Sequence, residues 1–278
     1  MTIIVHGATG AQGAPVAAAL IRSGYDVTAA VRTPGAYAGG TGVAVDFDSA
    51  AALAEVYRGA EGVFVHLPLG SPTQQLSWAE AIVEAVATAE PARVVVSTSG
   101  YPLEGADSPH GVLARGLEGA GVSVAVIAPL LFLENLLLPP VTGPVRSEGV
   151  LRYPIQADYA VSWCSHLDVA DVAARLFSDR SVTGVVGVGA LPGLMGDDLA
   201  RGFAEHVGRE VRFQVQTPEA FGASVEPLFG ADGIAPVVEA YRWRQTQLDE
   251  LIDGSTSAQH QLGLAPRTVA QWLKDVSA

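Results

Sequence analysis

Three glycines, Gly7, Gly10 and Gly13, lie between a short apolar run and an alanine-rich stretch near the beginning of the chain. In this arrangement the first glycine permits a sharp turn, the second leaves no side chain between backbone and ligand, and the third lets the next helix lie close to the strand. The amides at the start of that helix, at the positive end of its dipole, suit a pyrophosphate. We therefore predict a dinucleotide site, the alternative being a tight turn without a ligand. Its predicted contacts are Gly7, Thr9, Gly10, Ala11, Gln12 and Gly13.

Arg32 directly follows the second apolar run, residues 26–31. An acidic residue at this place would hydrogen-bond the ribose hydroxyls of NAD and repel a 2′-phosphate, whereas a guanidinium pairs with that phosphate and stacks on adenine. The sequence therefore favours NADP(H) over NAD(H), with a solvated loop arginine as the alternative. Asp46 and Phe47, just past the third run, are expected to contact the amine and the face of adenine, unless Asp46 caps the helix that begins near Ser49.

The lysine content limits the catalytic groups that this chain has. The only lysine is Lys274, so no tyrosine has a lysine at the spacing of the Tyr-x-x-x-Lys pair that protonates carbonyl oxygens in many dehydrogenases. Tyr101 and Ser97 follow the fifth apolar run, where hydroxyl groups can orient an oxygen-containing substrate or the nicotinamide. Tyr101 is therefore a candidate catalytic residue and Ser97 a candidate cofactor ligand, although both residue types also serve in turns.

The order of apolar and helical segments predicts the scaffold that positions these residues. Runs rich in valine and isoleucine occupy residues 2–5, 26–31, 42–45, 62–67, 93–97 and 122–127, and segments with helical spacing occupy residues 11–23, 49–57, 71–89 and 109–120. Strands that alternate with helices predict an α/β fold with a doubly wound parallel sheet of the Rossmann type. Right-handed crossovers bring the carboxyl ends of the strands, and the candidate residues with them, to one edge of the sheet.

The pattern becomes looser after Pro129, where prolines and glycines interrupt the chain. Two further helices are predicted at residues 169–177 and 197–206, and a strand at residues 210–216. We therefore predict two domains. Residues 1–129 form the dinucleotide-binding Rossmann domain, and residues 130–278 form a small α+β substrate lobe that packs on the first domain and is not independent of it.

The composition argues against several classes of partner. The net charge of −13 disfavours nucleic acid and anionic membranes. No apolar run reaches the length of a membrane span, and the single cysteine, Cys164, cannot form an intramolecular disulfide, so a cytoplasmic location is expected. The six histidines show no metal-ligand spacing, so no bound metal is expected. The segment 97–100 lacks the glycine before serine that a hydrolase nucleophile elbow needs.

Six motifs in order along the chain resemble the NmrA-like branch of the atypical short-chain dehydrogenases, most closely the NADPH-dependent quinone oxidoreductase type. They occupy residues 7–13, 31–32, 46–47, 127–135, 166–173 and 208–211. The resemblance implies a Rossmann domain with NADP in the glycine loop and a C-terminal lobe that closes the substrate cleft. It also implies that two segments lie along the cofactor, one with His66, Leu67 and Pro68 and the other with Pro129 and Leu131.

The resemblance further implies that His110 stands where many of these proteins carry a lysine that contacts the ribose. A histidine there can hold the ribose hydroxyls or donate a proton, because its ordinary pKa is close to neutrality. His110 is therefore a candidate both for catalysis and for cofactor binding, with a structural histidine at a helix start as the alternative.

These observations together predict an oxidoreductase that transfers hydride from NADPH to a quinone or a related conjugated or aromatic carbonyl compound. Such a ring accepts hydride readily, and solvent or a weak acid can supply the proton. Two alternatives stay open: a non-catalytic NADP(H)-binding redox sensor, and a non-redox isomerase or cyclase on the same scaffold. The expected partner is a small aromatic or quinone-like molecule, and a homodimer is compatible with the sequence.

Overall fold

Strands and helices alternate through the first half of the chain, as the sequence predicts. The computed structural model describes residues 1–105 and 107–277, and of residue 232 the backbone alone. Within these residues the strands are β1 (Thr2–His6), β2 (Asp26–Val31), β3 (Thr41–Ala44), β4 (Gly62–His66), β5 (Arg93–Ser97), β6 (Ser123–Pro129), β7 (Leu131–Phe132), β8 (Val150–Tyr153), β9 (Ala160–Val161), β10 (Trp163–Cys164), β11 (Gly184–Val188), β12 (Arg212–Val215) and β13 (Asp249–Glu250). The α-helices are α1 (Gly13–Arg22), α2 (Ala50–Tyr57), α3 (Pro72–Ala89), α4 (Pro109–Glu118), α5 (Pro139–Glu148), α6 (His166–Ser178), α7 (Gly196–Val207), α8 (Pro218–Arg244), α9 (Ala258–Leu262) and α10 (Val269–Ser277).

The chain divides into two compact units, each made of separate stretches of sequence. Unit 1 comprises residues 1–129, 166–188 and 253–264, and unit 2 comprises residues 130–165, 189–252 and 265–278. The first division falls after Pro129, where the sequence pattern changes. Residues 166–188 and 253–264, which the sequence analysis places in the substrate lobe, belong to unit 1 because α6, β11 and α9 pack on its sheet and helices.

Unit 1 is built on a seven-stranded sheet in the order β11-β6-β5-β4-β1-β2-β3, in which every neighbouring pair is parallel. This confirms the predicted α/β fold of the Rossmann type. The six predicted strands are all present, with ends that differ by at most two residues. The seventh strand, β11, was not predicted, because its sequence Gly-Val-Val-Gly-Val lies in a stretch with few strand signals.

The side chains of the central strands alternate between two buried faces, because successive residues of a strand point to opposite sides of the sheet. One face of β4, β5 and β6 packs against α2, α3 and α4 in a single apolar cluster, which includes Val63, Val65, Val94, Val96, Leu53, Tyr57, Ile82 and Leu113. The other face carries Val5, Phe64 and Val95, which are fully buried. The resulting rigid sheet fixes the carboxyl ends of its strands, where the candidate residues lie.

Unit 2 has its own apolar core, in which Trp163, Trp272 and Tyr153 are fully buried. Its strands form three short parallel pairs, β7 with β10, β8 with β12, and β9 with β13. Its longest helix, α8, was not predicted, since it contains two internal prolines, Pro227 and Pro236, and a non-helical Gly230 with φ +74°. Within the described residues, no helix combines the length and the apolar character that a membrane crossing requires.

Candidate functional site

The turn between β1 and α1 has a conformation that only glycines permit at two positions. Gly7 lies in the left-handed region with φ +60°, and its amide donates to the carbonyl of Ala30 at 3.0 Å. A Cβ atom on Gly13 would lie 2.2 Å from the carbonyl oxygen of Gly7. Gly10 closes the turn, donating its amide to the same oxygen at 2.7 Å. The three glycines therefore bring the start of α1 directly against the end of β1.

No side chain caps the amino terminus of helix α1. Its N-cap residue, Gln12, makes no capping hydrogen bond, and the first turn contains no acidic residue. Helices α2, α3 and α4 of the same unit each have a capping serine, respectively Ser49, Ser71 and Ser108. The Ala14 amide already donates to the Gly10 carbonyl oxygen at 3.0 Å, and Pro15 has no N–H. What this helix start offers to an anion from outside the chain is therefore mainly the positive end of its dipole.

A cleft of about 610 Å³ opens beside this turn. It lies at the point where the strand order reverses, between the ends of β1 and β4, which is where doubly wound folds bind their ligands. Its volume is in the range of small-molecule sites. Its lining residues are Gly7, Thr9, Gly10, Ala30, Val31, Arg32, Val45, Phe47, His66, Pro68, Leu69, Gln74 and Trp78. Seven of these thirteen were predicted to contact the cofactor, namely Gly7, Thr9, Gly10, Arg32, Phe47, His66 and Pro68.

Arg32 is exposed on the wall of this cleft. Among the residues that the structure describes, it has no ion-pair or hydrogen-bond partner, so its guanidinium is available to a ligand. Asp46 is also exposed but does not line the cleft, and its Oδ1 accepts the amide of Asp48 at 3.0 Å. The cap of α2 is Ser49, whose hydroxyl accepts the amide of Ala52 at 3.2 Å, so the alternative role considered for Asp46 is wrong.

Two cleft residues on α3, Gln74 and Trp78, are not indicated by the sequence pattern. The helix itself was predicted, but the face that it turns towards the cleft depends on the strand order of the sheet, which a single sequence does not reveal. Trp78 is a half-buried aromatic residue beside Phe47, with ring centroids 5.8 Å apart. A tryptophan on the amino-terminal turns of a helix that follows a strand end is the one signal that could have indicated it.

Unsatisfied polar atoms gather at the carboxyl ends of β4 and β5. Within the described residues, Nε2 of His66, Nε2 of His110 and the hydroxyls of Thr98 and Ser99 are buried and have no hydrogen-bond partner. Ser99 also has a left-handed backbone, with φ +55°. Buried polar groups in folded proteins are nearly always paired, and strained residues concentrate at functional sites. These four groups therefore fit a polar ligand, whereas the Ser97 hydroxyl accepts the Ser99 amide at 3.2 Å and stabilises the turn.

His110 lies in the first turn of α4 and is 2% exposed. Its ring stacks on that of Tyr101, with centroids 4.7 Å apart and planes 8° apart. Burial lowers the pKa of His110 from 6.5 to about 4, with a smaller contribution from nearby His66. The ring is therefore neutral at pH 7, which favours hydrogen bonding to a ligand over proton donation from a cationic imidazole. Tyr101 is 46% exposed, so its ring connects the buried histidine with solvent.

The pKa of His110 predicts that the protein loses stability in mild acid. The unfolded chain protonates this histidine near pH 6.5, whereas the folded protein does so only near pH 4. We therefore expect the free energy of unfolding to fall by about 2 kcal/mol between about pH 7 and pH 5 because of His110 alone. The loss should be smaller by that amount in a His110→Gln variant, as measured by urea titration at both pH values. Identical losses in wild type and variant would contradict the prediction.

The other predicted contacts occupy different environments. Ala11 is exposed, and Gln12 is buried beside the turn with its side-chain oxygen unpaired among the described residues. Leu67 packs its side chain into the core of unit 1. Pro129 is the last residue of β6 and pairs with Val188, and Leu131 belongs to unit 2, where it pairs with Trp163. No group of three or more His, Cys, Asp or Glu within residues 1–105 and 107–277 is arranged to hold a metal ion.

Comparisons with known proteins agree with this geometry. Residues 7–116 match the NAD(P)H-binding family. The NADPH-dependent quinone oxidoreductase of Escherichia coli, solved with NADPH, aligns over 100% of both chains at 19% identity and a TM-score of 0.75. Triphenylmethane reductase of Citrobacter, solved with NADP(H), aligns over 99% of both chains at 14% identity and a TM-score of 0.79. A nucleoside-diphosphate-sugar epimerase of Staphylococcus aureus aligns over 99% of this chain and 100% of its own at 16% identity and a TM-score of 0.76.

A search of curated protein sequences found no significant match. At these identities the likeness to the solved structures concerns the fold, which is shared along the whole chain. The family match identifies the ligand as NAD(P)H, and the matched residues include the glycine turn, Arg32, His66 and His110. The chain therefore carries an NAD(P)H-binding domain at residues 7–116, as the predicted resemblance implies, and shares its fold with these solved structures.

Proposed function

We propose that the protein is an NADPH-dependent oxidoreductase that reduces a quinone or a related conjugated or aromatic carbonyl compound. The observation that carries this proposal is the position of His66. It lines the cleft beside the glycine turn, and its unpaired Nε2 belongs to the cluster of unsatisfied polar atoms at the ends of β4 and β5. A single extended ligand, with phosphates at one end and a polar reactive ring at the other, would satisfy both regions.

The preference for NADPH over NADH rests on Arg32. Its guanidinium lines the cleft without a partner among the described residues, and it follows the strand end at which an acidic residue would favour NAD. The E. coli and Citrobacter enzymes of the same fold were solved with NADPH and NADP(H), which supports the same choice for this chain. The proposed ligand also fits the amino terminus of α1, where a phosphate would meet the positive end of the helix dipole and no capping side chain.

When bound, the cofactor supplies a hydride, and a quinone that receives one hydride and one proton becomes a hydroquinone. The residues of this chain bind and orient the reactants. Neutral His110, together with Thr98 and Ser99, provides hydrogen-bonding groups that need a ligand to be satisfied. The sequence contains no Tyr-x-x-x-Lys pair that could protonate the reduced oxygen. The proton therefore comes from solvent or from the phenol of the half-exposed Tyr101.

Single-turnover oxidation of bound NADPH tests the proposal. The protein is mixed with NADPH and then rapidly with a panel of benzoquinones and naphthoquinones, while absorbance at the nicotinamide band is followed. We expect at least one quinone to oxidise the bound NADPH faster than it oxidises free NADPH. Tight NADPH binding without oxidation by any member of the panel would contradict the proposal and favour the sensor.

A further inference from the structure

The α3 side of the cleft contributes an aromatic wall. Trp78 lines the cleft together with Phe47 and Arg32. The planes of the two aromatic rings are inclined by 50° and their centroids lie 5.8 Å apart. Both side chains pack partly on the apolar core of unit 1, so that each ring is supported from behind and open towards the cleft.

The orientation of the Trp78 indole is fixed by contacts on two sides. Its Nε1 donates to Oδ1 of Asp48 at 2.9 Å. Its six-membered ring lies against Gly70, where a Cβ atom would come within 2.8 Å of the ring carbon Cζ3. The helix that carries it starts in a capping box between Ser71 and Gln74. The indole is therefore held in place before a ligand arrives, which reduces the conformational entropy that binding would remove.

We propose that Trp78 is the stacking platform for the adenine ring of the dinucleotide, and this inference rests on the proposed function. A flat aromatic base has a π-face that stacks favourably on an indole. Arg32 lines the same cleft, so one cleft offers an indole face for the base and an unpaired guanidinium, among the described residues, for the adenosine 2′-phosphate. The Gln74 side chain, which also lines the cleft and lies one helical turn before Trp78, offers an amide to the polar edge of the base.

Two fragments of the cofactor separate adenine recognition from the rest of binding. Adenosine 2′,5′-bisphosphate contains the base and the 2′-phosphate, and reduced nicotinamide mononucleotide lacks both. We expect a Trp78→Ala variant to bind the bisphosphate about tenfold more weakly than wild type, a loss of about 1.4 kcal/mol. Binding of the mononucleotide should change by less than about twofold. Titration calorimetry measures both dissociation constants without any catalytic turnover.

Three further variants keep this test decisive. Trp78→Phe retains an aromatic face and should lose less than about threefold in affinity for the bisphosphate. Asp48→Ala removes only the acceptor of the indole N–H from an exposed site, and should weaken bisphosphate binding by about threefold even if Trp78→Ala fails to fold. Trp243→Ala replaces a tryptophan of unit 2 that is 51% exposed, and should leave both affinities unchanged.

The outcomes separate this inference from the function on which it rests. If wild type binds both fragments and the Trp78 and Asp48 variants bind the bisphosphate as wild type does, the adenine platform is overturned and the oxidoreductase proposal stands. If Trp78→Ala weakens both fragments equally, the residue supports the fold and does not recognise the base. If wild type does not bind the bisphosphate at all, the proposed cofactor is wrong and the inference fails with it.

Discussion

An Arg32→Asp variant is expected to bind NADPH about 100-fold more weakly than wild type, while its affinity for NADH changes by less than about threefold. The substitution removes a guanidinium that lines the cleft without a partner among the described residues and replaces it with a carboxylate. A charge-assisted pair with the 2′-phosphate is lost, and electrostatic repulsion takes its place. NADH lacks this phosphate, and an acidic residue at the end of the second strand accepts its ribose hydroxyls.

Equilibrium titrations of NADPH and NADH, followed by the fluorescence of the bound nicotinamide, measure the two affinities. Arg58→Asp is the matched control. Arg58 is exposed at the end of α2, and the same substitution there lowers the net charge by two without changing the cleft. Its affinity for NADPH should remain close to that of wild type. Equal losses for NADPH and NADH in the Arg32 variant would contradict the proposed preference for the phosphorylated cofactor.

A Gly13→Ala variant is expected to be less stable than wild type by about 3 kcal/mol and to lose most of its affinity for either cofactor. The added methyl group would lie 2.2 Å from the Gly7 carbonyl oxygen, a distance that backbone atoms cannot accommodate without moving. Helix α1 would then move away from the end of β1, and its amino terminus would leave the position that suits a phosphate. Urea unfolding measures the stability, and nicotinamide fluorescence measures the binding.

Gly143→Ala is the control for this prediction. Gly143 lies within α5 of unit 2, and a Cβ atom there would meet nothing within 4 Å. Since alanine has the higher helix propensity, this variant should be as stable as wild type or more stable by up to about 1 kcal/mol. A Gly13→Ala protein with wild-type stability and cofactor affinity would show that the turn tolerates a side chain, and that its glycines do not serve close packing.

The parallel sheet could be predicted because its strands are buried on both faces and therefore appear as valine-rich runs between amphipathic helices. Residues 26–31 and 93–97 were predicted with the ends that the structure shows. The strand β11 was not, because two of its five residues are glycines and its stability comes from pairing with β6, a contact between distant parts of the sequence. Helix α8 escaped prediction for a local reason, since Pro227, Gly230 and Pro236 are all helix-breaking signals.

The candidate site was predictable where the backbone determines it and unpredictable where packing does. The glycine turn and Arg32 follow strand ends and His66 is the last residue of β4, so the rule that parallel strands end at one edge locates them. The depressed pKa of His110 could not be predicted, because it depends on burial beneath Tyr101 and on nearby His66. The role of Trp78 could not be predicted for a similar reason. Its contacts with Asp48 and Gly70 involve loops whose positions cannot be predicted from the helical spacing of α3.

The interleaving of the two units has a consequence for how the chain folds as the ribosome produces it. Unit 1 needs residues 253–264, and unit 2 needs residues 265–278, which contain the fully buried Trp272. Unit 1 therefore cannot complete its core before residue 264 has been synthesised, nor unit 2 before Trp272 has been. Until β11 emerges, β6 presents an unpaired edge that invites association with other chains. Neither unit can therefore be produced by itself as one continuous segment of the sequence.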